Sequence, residues 1–160
     1  MKHLRCVFTC LLLFVLSSTV LAQTAATGSG GAAASVDDLV TAVAIEVLEQ
    51  GGNAVDATVA AAAAVGVVEP FSGGIGGGGF MLIYLAASGE VVSIDGRETA
   101  PMAATPDMFL EDGQVRPFGG RALGIAVGVP GALAQWQLAL DTYGTMDLAT
   151  LLQPAIRLAE

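Results

Sequence analysis

The sequence predicts a mixed α+β fold. Two helical patterns, at 36–48 and 54–68, come first, and a glycine-rich segment at 73–79 follows them. Two strand patterns, 80–86 and 90–94, come next and are joined by a short turn that contains Ser and Gly. Strands that follow each other across so short a turn form an antiparallel hairpin. Helices and strands that occur in separate runs are typical of the α+β class.

The first 22 residues have the pattern of a secretory signal peptide. Lys2 and Arg5 precede an apolar run at 7–16, and Val20-Leu21-Ala22 offers a small-residue cleavage site. An uncleaved membrane anchor is the alternative, but the apolar run is shorter than the roughly 20 residues that a membrane span needs. We therefore expect export to the periplasm or the extracellular space, with no membrane attachment after cleavage of residues 1–22.

Cleavage would also remove both cysteines, the single histidine and the lysine. A cysteine nucleophile, a Ser-His-Asp triad, a histidine or thiolate zinc site and a Schiff-base lysine are then excluded within the remaining residues. Four arginines stand against fifteen acidic residues, a formal charge of −11. This charge argues against nucleic acid and anionic membranes as partners. The sequence predicts neither a metal nor a cofactor.

Residues 23–34 lack bulky side chains and are interpreted as a flexible lead-in, so the folded part is expected at 35–160. Ser35, followed three residues later by Asp38, resembles a capping box for the first helix. Asn53 and Asp56 have the same spacing at the start of the second helix. The second helix consists almost wholly of Ala and Val, so it must be buried on all sides.

Six of the seven residues at 73–79 are glycine, and Gly74, Gly76 and Gly79 match the G-x-G-x-x-G pattern of dinucleotide sites. That fingerprint follows a strand and opens a helix, whereas here a helix precedes the glycines and a strand follows them. No lysine follows the last glycine, as a phosphate-binding loop would require. The glycines are therefore interpreted as a site of close backbone packing before a buried hairpin.

Arg97 follows the second strand of the hairpin, where the chain leaves the predicted sheet. Side chains at strand ends can reach a cleft from a rigid base, so Arg97 is a binding candidate. The alternative is an ordinary surface ion pair with Asp95 or Glu98, and the residues alone favour that alternative.

The rest of the chain is predicted to add helices and one further strand. In order, these are a helix from Thr105 to Leu110, a turn at 111–113, a loop at 118–124, a strand at 125–129, a helix at 131–143, and a last helix that Thr145 caps and Pro154 kinks or divides. Trp136 and Tyr143 are expected in the core, on a stripe with Leu133 and Leu140. The chain stops inside a helical pattern.

Five segments together resemble γ-glutamyltranspeptidase, also called glutathione hydrolase, over residues 33–160. They are EVLEQGGNAVDATVAAAAAVGVVEP, GGIGGGGFMLIY, IDGRETAP, VGVPG and YGTMDLATLLQPAIRLAE. The resemblance implies an exported precursor of the N-terminal nucleophile hydrolase class, built as a four-layer αββα sandwich. Such precursors cleave themselves, and the freed threonine attacks the γ-glutamyl amide. Residues 35–160 are expected to form the N-terminal portion of the large subunit, so the fold is present here as an N-terminal fragment.

The resemblance also implies the activity, the partners and one site residue. Expected partners are glutathione and other γ-glutamyl compounds, amino-acid or peptide acceptors, and a small subunit from the same precursor. The family's nucleophilic threonine lies downstream of these residues, so no catalytic residue is expected in this chain. Arg97, in IDGRETAP, is expected to bind the α-carboxylate of the γ-glutamyl group, because a guanidinium offers paired N–H donors and stays charged.

Two other functions compete with γ-glutamyl transfer. A cephalosporin or glutaryl acylase is a sister activity that the same resemblance allows. A non-catalytic exported remnant is the alternative from another class of protein. An open reading frame that continues beyond Glu160 to a catalytic threonine would favour the enzyme.

Overall fold

The computed structural model describes residues 27–115 and 124–160, and the predicted signal peptide lies outside them. Residues 27–37 contain neither helix nor strand. The elements that follow are α1 (Asp38–Glu49), α2 (Ala54–Val68), β1 (Phe80–Leu85), β2 (Glu90–Asp95), β3 (Leu110–Glu111), β4 (Gln114–Val115), a 3₁₀ turn (Gly124–Ala126), α3 (Ala132–Tyr143) and α4 (Leu148–Ala159). The predicted α+β class is confirmed.

Helix α1 begins and ends with standard capping interactions. Asp37 is the N-cap, and its Oδ1 accepts a hydrogen bond of 2.8 Å from Leu39 N. The predicted cap at Ser35 is wrong, because Asp37 lies next to the first turn and Ser35 Oγ donates to the Asp37 carbonyl instead. At the other end, Gly51 adopts φ 91° and Gly52 N donates to Val47 O, which completes a Schellman motif.

Helix α2 is the centre of the helical layer and contacts α1, α3 and α4. Its predicted capping box is confirmed. Asn53 Oδ1 accepts from Val55 N and Asp56 N, and Asp56 Oδ2 accepts from Asn53 N at 2.8 Å. The prediction that this helix is buried on all sides is wrong for part of it, because Ala54 and Thr58 are exposed and its last turn is half-buried. Its buried residues are Val55, Asp56, Ala57, Val59, Ala60, Ala63 and Ala64. Small side chains allow the neighbouring helices to approach it closely.

Asp56 also joins α2 to the turn before α4. Its carboxylate accepts from Thr145 N at 3.0 Å, from Thr145 Oγ1 at 2.6 Å and from Met146 N at 3.2 Å. Burial raises the pKa of Asp56, but the hydrogen bonds from Thr145, Asn53 and Met146 outweigh it and lower the pKa below its usual value. The prediction that Thr145 caps α4 is therefore wrong. Asp147 takes that position and accepts from Thr150 N at 2.9 Å.

The predicted hairpin is confirmed, with β1 and β2 antiparallel in a register from Phe80↔Asp95 to Leu85↔Glu90. Met81 and Ile94 are buried and belong to the same core as the helices. The expectation that the strands are buried holds for one face alone. The other face exposes the apolar side chains of Phe80, Leu82, Tyr84 and Val91.

Two predictions between residues 105 and 129 are wrong. The expected helix ending at Leu110 is replaced by turns and by the small hairpin β3–β4. Asp112 and Gly113 both have positive φ, 51° and 75°, so a two-residue primed turn pairs the residues on either side of it. The expected strand at 125–129 does not form: residues Gly124–Ala126 make a 3₁₀ turn, and Val129 makes an isolated bridge to Thr99. Most of the predicted loop at 118–124 lies outside the described residues.

Helices α3 and α4 follow the predicted pattern with two changes. Trp136 is buried, as expected, but Leu133 is 43% exposed. The buried stripe of α3 instead contains Ala132, Gln135, Trp136, Ala139 and Leu140. Helix α4 runs from Leu148 to Ala159 through Pro154, so the predicted division is wrong and the alternative of a kink stays a prediction. Pro154 has no N–H group, so the helix lacks one main-chain hydrogen bond there. Among residues 27–115 and 124–160, no helix is long and apolar enough to span a membrane.

Candidate functional site

The main chain of Arg97 leaves the sheet directly after the last paired residues of the hairpin. Gly79 and Gly96 exchange hydrogen bonds of 3.2 and 2.9 Å, which extend the pairing one position beyond Asp95. Arg97 N then donates to Asp95 Oδ1 at 2.9 Å. This short local bond turns the chain, so Asp95 orients the backbone of Arg97 and does not pair with its guanidinium.

The guanidinium of Arg97 is accessible and is held from one side. Its Nε lies 3.5 Å from Glu98 Oε2, and 62% of the Arg97 side chain is exposed. That Glu98 oxygen is itself buried and accepts no hydrogen bond from the described residues, so the contact is an ion pair without hydrogen-bond geometry. Because no side chain or carbonyl of the described residues accepts a hydrogen bond from this guanidinium, its N–H donors can bind an anionic ligand.

The glycine-rich segment packs against this strand end, as the sequence predicted. A Cβ atom on Gly78 would meet the carbonyl of Gly96 and would lie 3.1 Å from Arg97 Cα. A Cβ on Gly66, near the end of α2, would lie 3.1 Å from Gly74 Cα. Glycine is therefore favoured at Gly66 and Gly78, because backbone meets backbone at both contacts.

A groove of about 560 Å³ runs along the glycine-rich segment. Of the described residues that line it, Glu98 alone is charged. The lining residues are Gly66, Pro70, Phe71, Ser72, Gly73, Gly74, Ile75, Gly76, Gly77, Gly78 and Glu98. Because Glu98 also pairs with Arg97, the groove and the guanidinium form one candidate site.

Helix α3 supports this site from the side of the core. Gly131 N and Ala132 N both donate to Gly77 O at 3.1 Å. Further along the helix, Gln135 Nε2 donates to the carbonyls of Gly79 and Ile94. The sequence reasoning missed Gln135, although a polar residue within the apolar stripe of a helix is a detectable sign of a buried hydrogen-bonding role.

The chemistry that these residues offer is binding. Within 27–115 and 124–160, no three His, Cys, Asp or Glu side chains converge as a metal site would require. The guanidinium of Arg97 fits a carboxylate in bidentate fashion. Its role as the binding site for a substrate carboxylate stays a prediction.

Comparison with known proteins places this geometry in a family. The sequence model of the γ-glutamyltranspeptidase family matches residues 40–160. The glutathione hydrolase proenzyme of Bacillus subtilis is 47% identical over 135 residues, which are 83% of this chain and 23% of that protein. The crystal structure of Helicobacter pylori γ-glutamyltranspeptidase superposes with a TM-score of 0.81 at 46% identity, over 86% of this chain and 39% of that one.

A cephalosporin acylase from Bacillus halodurans is also similar, at 29% identity and a TM-score of 0.61, over 86% of this chain and 27% of that one. The chain thus spans about a quarter of the length of the curated relative described above. The structural likeness confirms the predicted N-terminal nucleophile hydrolase fold, of which the described residues form a helical layer and part of one sheet. By sequence match and by structure, the chain belongs to the γ-glutamyltranspeptidase family.

Proposed function

We propose that this chain is the N-terminal part of the large subunit of an exported γ-glutamyl transferase and glutathione hydrolase, in which Arg97 binds the α-carboxylate of the γ-glutamyl group. The observation that carries the proposal is the position of Arg97. In a chain of this family, it lies at a strand end beside a glycine-lined groove, with an accessible guanidinium that Glu98 holds from one side.

The proposed reaction cleaves the γ-glutamyl amide and transfers the γ-glutamyl group to water, an amino acid or a peptide. The nucleophilic threonine and the small subunit come from the remainder of the same precursor. The name proenzyme, given to the Bacillus subtilis relative, supports a precursor that is processed. Glutathione and other γ-glutamyl compounds fit Arg97, because each presents a free α-carboxylate to a guanidinium.

Acylase activity remains the second candidate, since the likeness to a cephalosporin acylase supports it. A glutaryl group is a γ-glutamyl group without its α-amino group, so both keep the carboxylate that Arg97 would bind. Arg97 therefore does not separate the two activities. Comparing kcat/KM for γ-glutamyl and glutaryl anilides would do so, and we expect the γ-glutamyl compound to be preferred by the intact enzyme.

We expect residues 23–160, expressed alone, to show no γ-glutamyl transfer and to unfold without a cooperative transition. The hairpin exposes Phe80, Leu82, Tyr84 and Val91 on one face, and a two-stranded sheet with an uncovered apolar face is marginal and prone to association. An unactivated Ser or Thr is also a weak nucleophile. Turnover of a γ-glutamyl anilide that a substitution within these residues abolishes would contradict the proposal that catalysis resides elsewhere. A sharp melt of a monomer would contradict the folding part alone.

Export is the remaining part of the proposal. The basic start, short apolar run and small-residue site predict cleavage after Ala22, which leaves Gln23 at the N-terminus. Intact-mass spectrometry of the protein recovered from the medium or the periplasm measures this directly. Recovery of exported protein that still begins at Met1 would disprove the cleavage.

A further inference from the structure

Gln135 is a buried polar side chain whose hydrogen bonds leave its own helix. Together with Asp56, it is one of two polar side chains buried among the described residues, and it is 7% exposed. Its Nε2 donates to Gly79 O at 3.0 Å and to Ile94 O at 2.8 Å. Both hydrogens of the amide are thus used on main-chain carbonyls, one before β1 and one near the end of β2.

One of these carbonyls belongs to the last pair of the hairpin before Arg97, and the other lies just before that pair in β2. Gly79 is hydrogen-bonded to Gly96 in both directions, and Ile94 lies two residues before Gly96. The Gln135 amide therefore ties the two strands together where Arg97 departs. An ionised glutamate at this position would place its acceptor oxygens against the two carbonyl oxygens, which cannot donate to it. A leucine would leave both carbonyls without the hydrogen bond from Gln135.

Three glycines allow close packing around the same strand end, where Arg97 follows Gly96. A Cβ on Gly96 would lie 2.6 Å from Gln135 Cβ, and a Cβ on Gly131 would meet the carbonyl of Gly96 and lie 3.0 Å from Arg97 O. On the opposite side, Gly78 leaves no room beside Arg97 Cα. The main chain of Arg97 is thus enclosed by α3 and the glycine-rich segment, whereas the described residues give its guanidinium a single ion-pair contact at 3.5 Å. The location of the guanidinium therefore depends on how the main chain of Gly96 and Arg97 is packed.

We propose that Gln135 is a positioning residue for Arg97, which sets where the strand end leaves the sheet and hence where the guanidinium meets the α-carboxylate. The proposal rests on the proposed role of Arg97. Because a displacement of about 1 Å can cost on the order of 10²-fold in activity, loss of the Gln135 amide should act on carboxylate recognition although Gln135 touches no substrate.

The test uses the full-length, self-processed enzyme with the substitution Gln135→Leu. The probes are L-glutamate and 4-aminobutyrate, which differ only by the α-carboxylate, and the readout is the ratio of their inhibition constants. We expect the preference for L-glutamate to fall at least about tenfold. A general structural lesion would weaken both compounds in the same proportion. The matched control is Gln137→Leu, because Gln137 is exposed on the same helix and bonds Asp141 at 2.7 Å; its ratio should stay at the wild-type value.

Arg97→Ala in the same assay separates the two proposals. If Arg97→Ala loses the preference for L-glutamate and Gln135→Leu keeps it, the role of Gln135 is overturned and that of Arg97 stands. If Arg97→Ala keeps the preference, both are overturned. Adding Gln135→Leu to Arg97→Ala should lower the preference no further, and additive losses would contradict action through Arg97. If Gln135→Leu does not fold, Gln135→Asn has a side chain one methylene shorter, and a wild-type ratio in that variant overturns the proposal.

Discussion

Replacing Arg97 with alanine in the intact enzyme should weaken transition-state binding of γ-glutamyl substrates, measured by kcat/KM, by about 2–5 kcal/mol. This is the scale for losing a desolvated charge-assisted contact. That energy corresponds to a loss of roughly 30-fold to 5,000-fold. The reason is that 62% of the Arg97 side chain is open to a ligand, and the α-carboxylate would lose its paired donors. Steady-state kinetics with a γ-glutamyl anilide measures the effect.

Two further variants make this result specific to the guanidinium. Arg97→Lys should recover little activity, because an ammonium group lacks the planar pair of donors. Arg157→Ala is the matched control, since Arg157 is also an exposed arginine but pairs with Glu46 between α4 and α1. Unchanged kcat/KM in Arg97→Ala, with self-cleavage intact, would remove Arg97 from the site.

Replacing Asp56 with alanine should lower the free energy of unfolding by about 3–5 kcal/mol, because several hydrogen bonds to a charged group, each worth about 1.5–3 kcal/mol, are lost together. The substitution leaves the N–H groups of Asn53, Thr145 and Met146 and the hydroxyl of Thr145 without their acceptor. Urea unfolding of the full-length enzyme measures the loss. Asp147→Ala is the control, because it removes an aspartate that caps α4 at an exposed position, and its effect should be much smaller.

The effect of Asp56 should also depend on pH, with a sign that follows from its lowered pKa. A carboxyl group with a lower pKa in the folded state contributes its full stability above its unfolded pKa of about 3.9. The contribution is lost as the pH falls through the folded pKa. The difference in stability between wild type and Asp56→Ala should therefore be constant near neutral pH and shrink below about pH 4. A difference that stays constant in acid would show that the ionised carboxylate is not what stabilises the turn.

The sequence by itself determined the features that depend on local interactions. The capping box of Asn53 and Asp56 was predictable because both partners lie within one turn of the same helix. The hairpin was predictable because two segments of strand composition flank a short turn that ends in Gly89, with φ 75°. Close packing at the glycine-rich segment followed from residues that lack a Cβ. Arg97 was a binding candidate from its place at a strand end, but the residues alone favoured a surface ion pair and the family motif reversed that preference.

Only the tertiary structure decided features that depend on partners distant in sequence. Thr145 looked like a helix cap, but it bonds Asp56, which is 89 residues away. Gln135 bonds carbonyls 56 and 41 residues away, so its place in an apolar stripe could indicate a buried polar role but not the partners that it bonds. The hairpin has one covered face and one exposed face because, within the part of the chain that the structure describes, helices pack on the side of Met81 and Ile94. A periodic pattern shows which side chains share a face, whereas the elements that approach that face determine which bonds its polar groups make and which apolar groups stay uncovered.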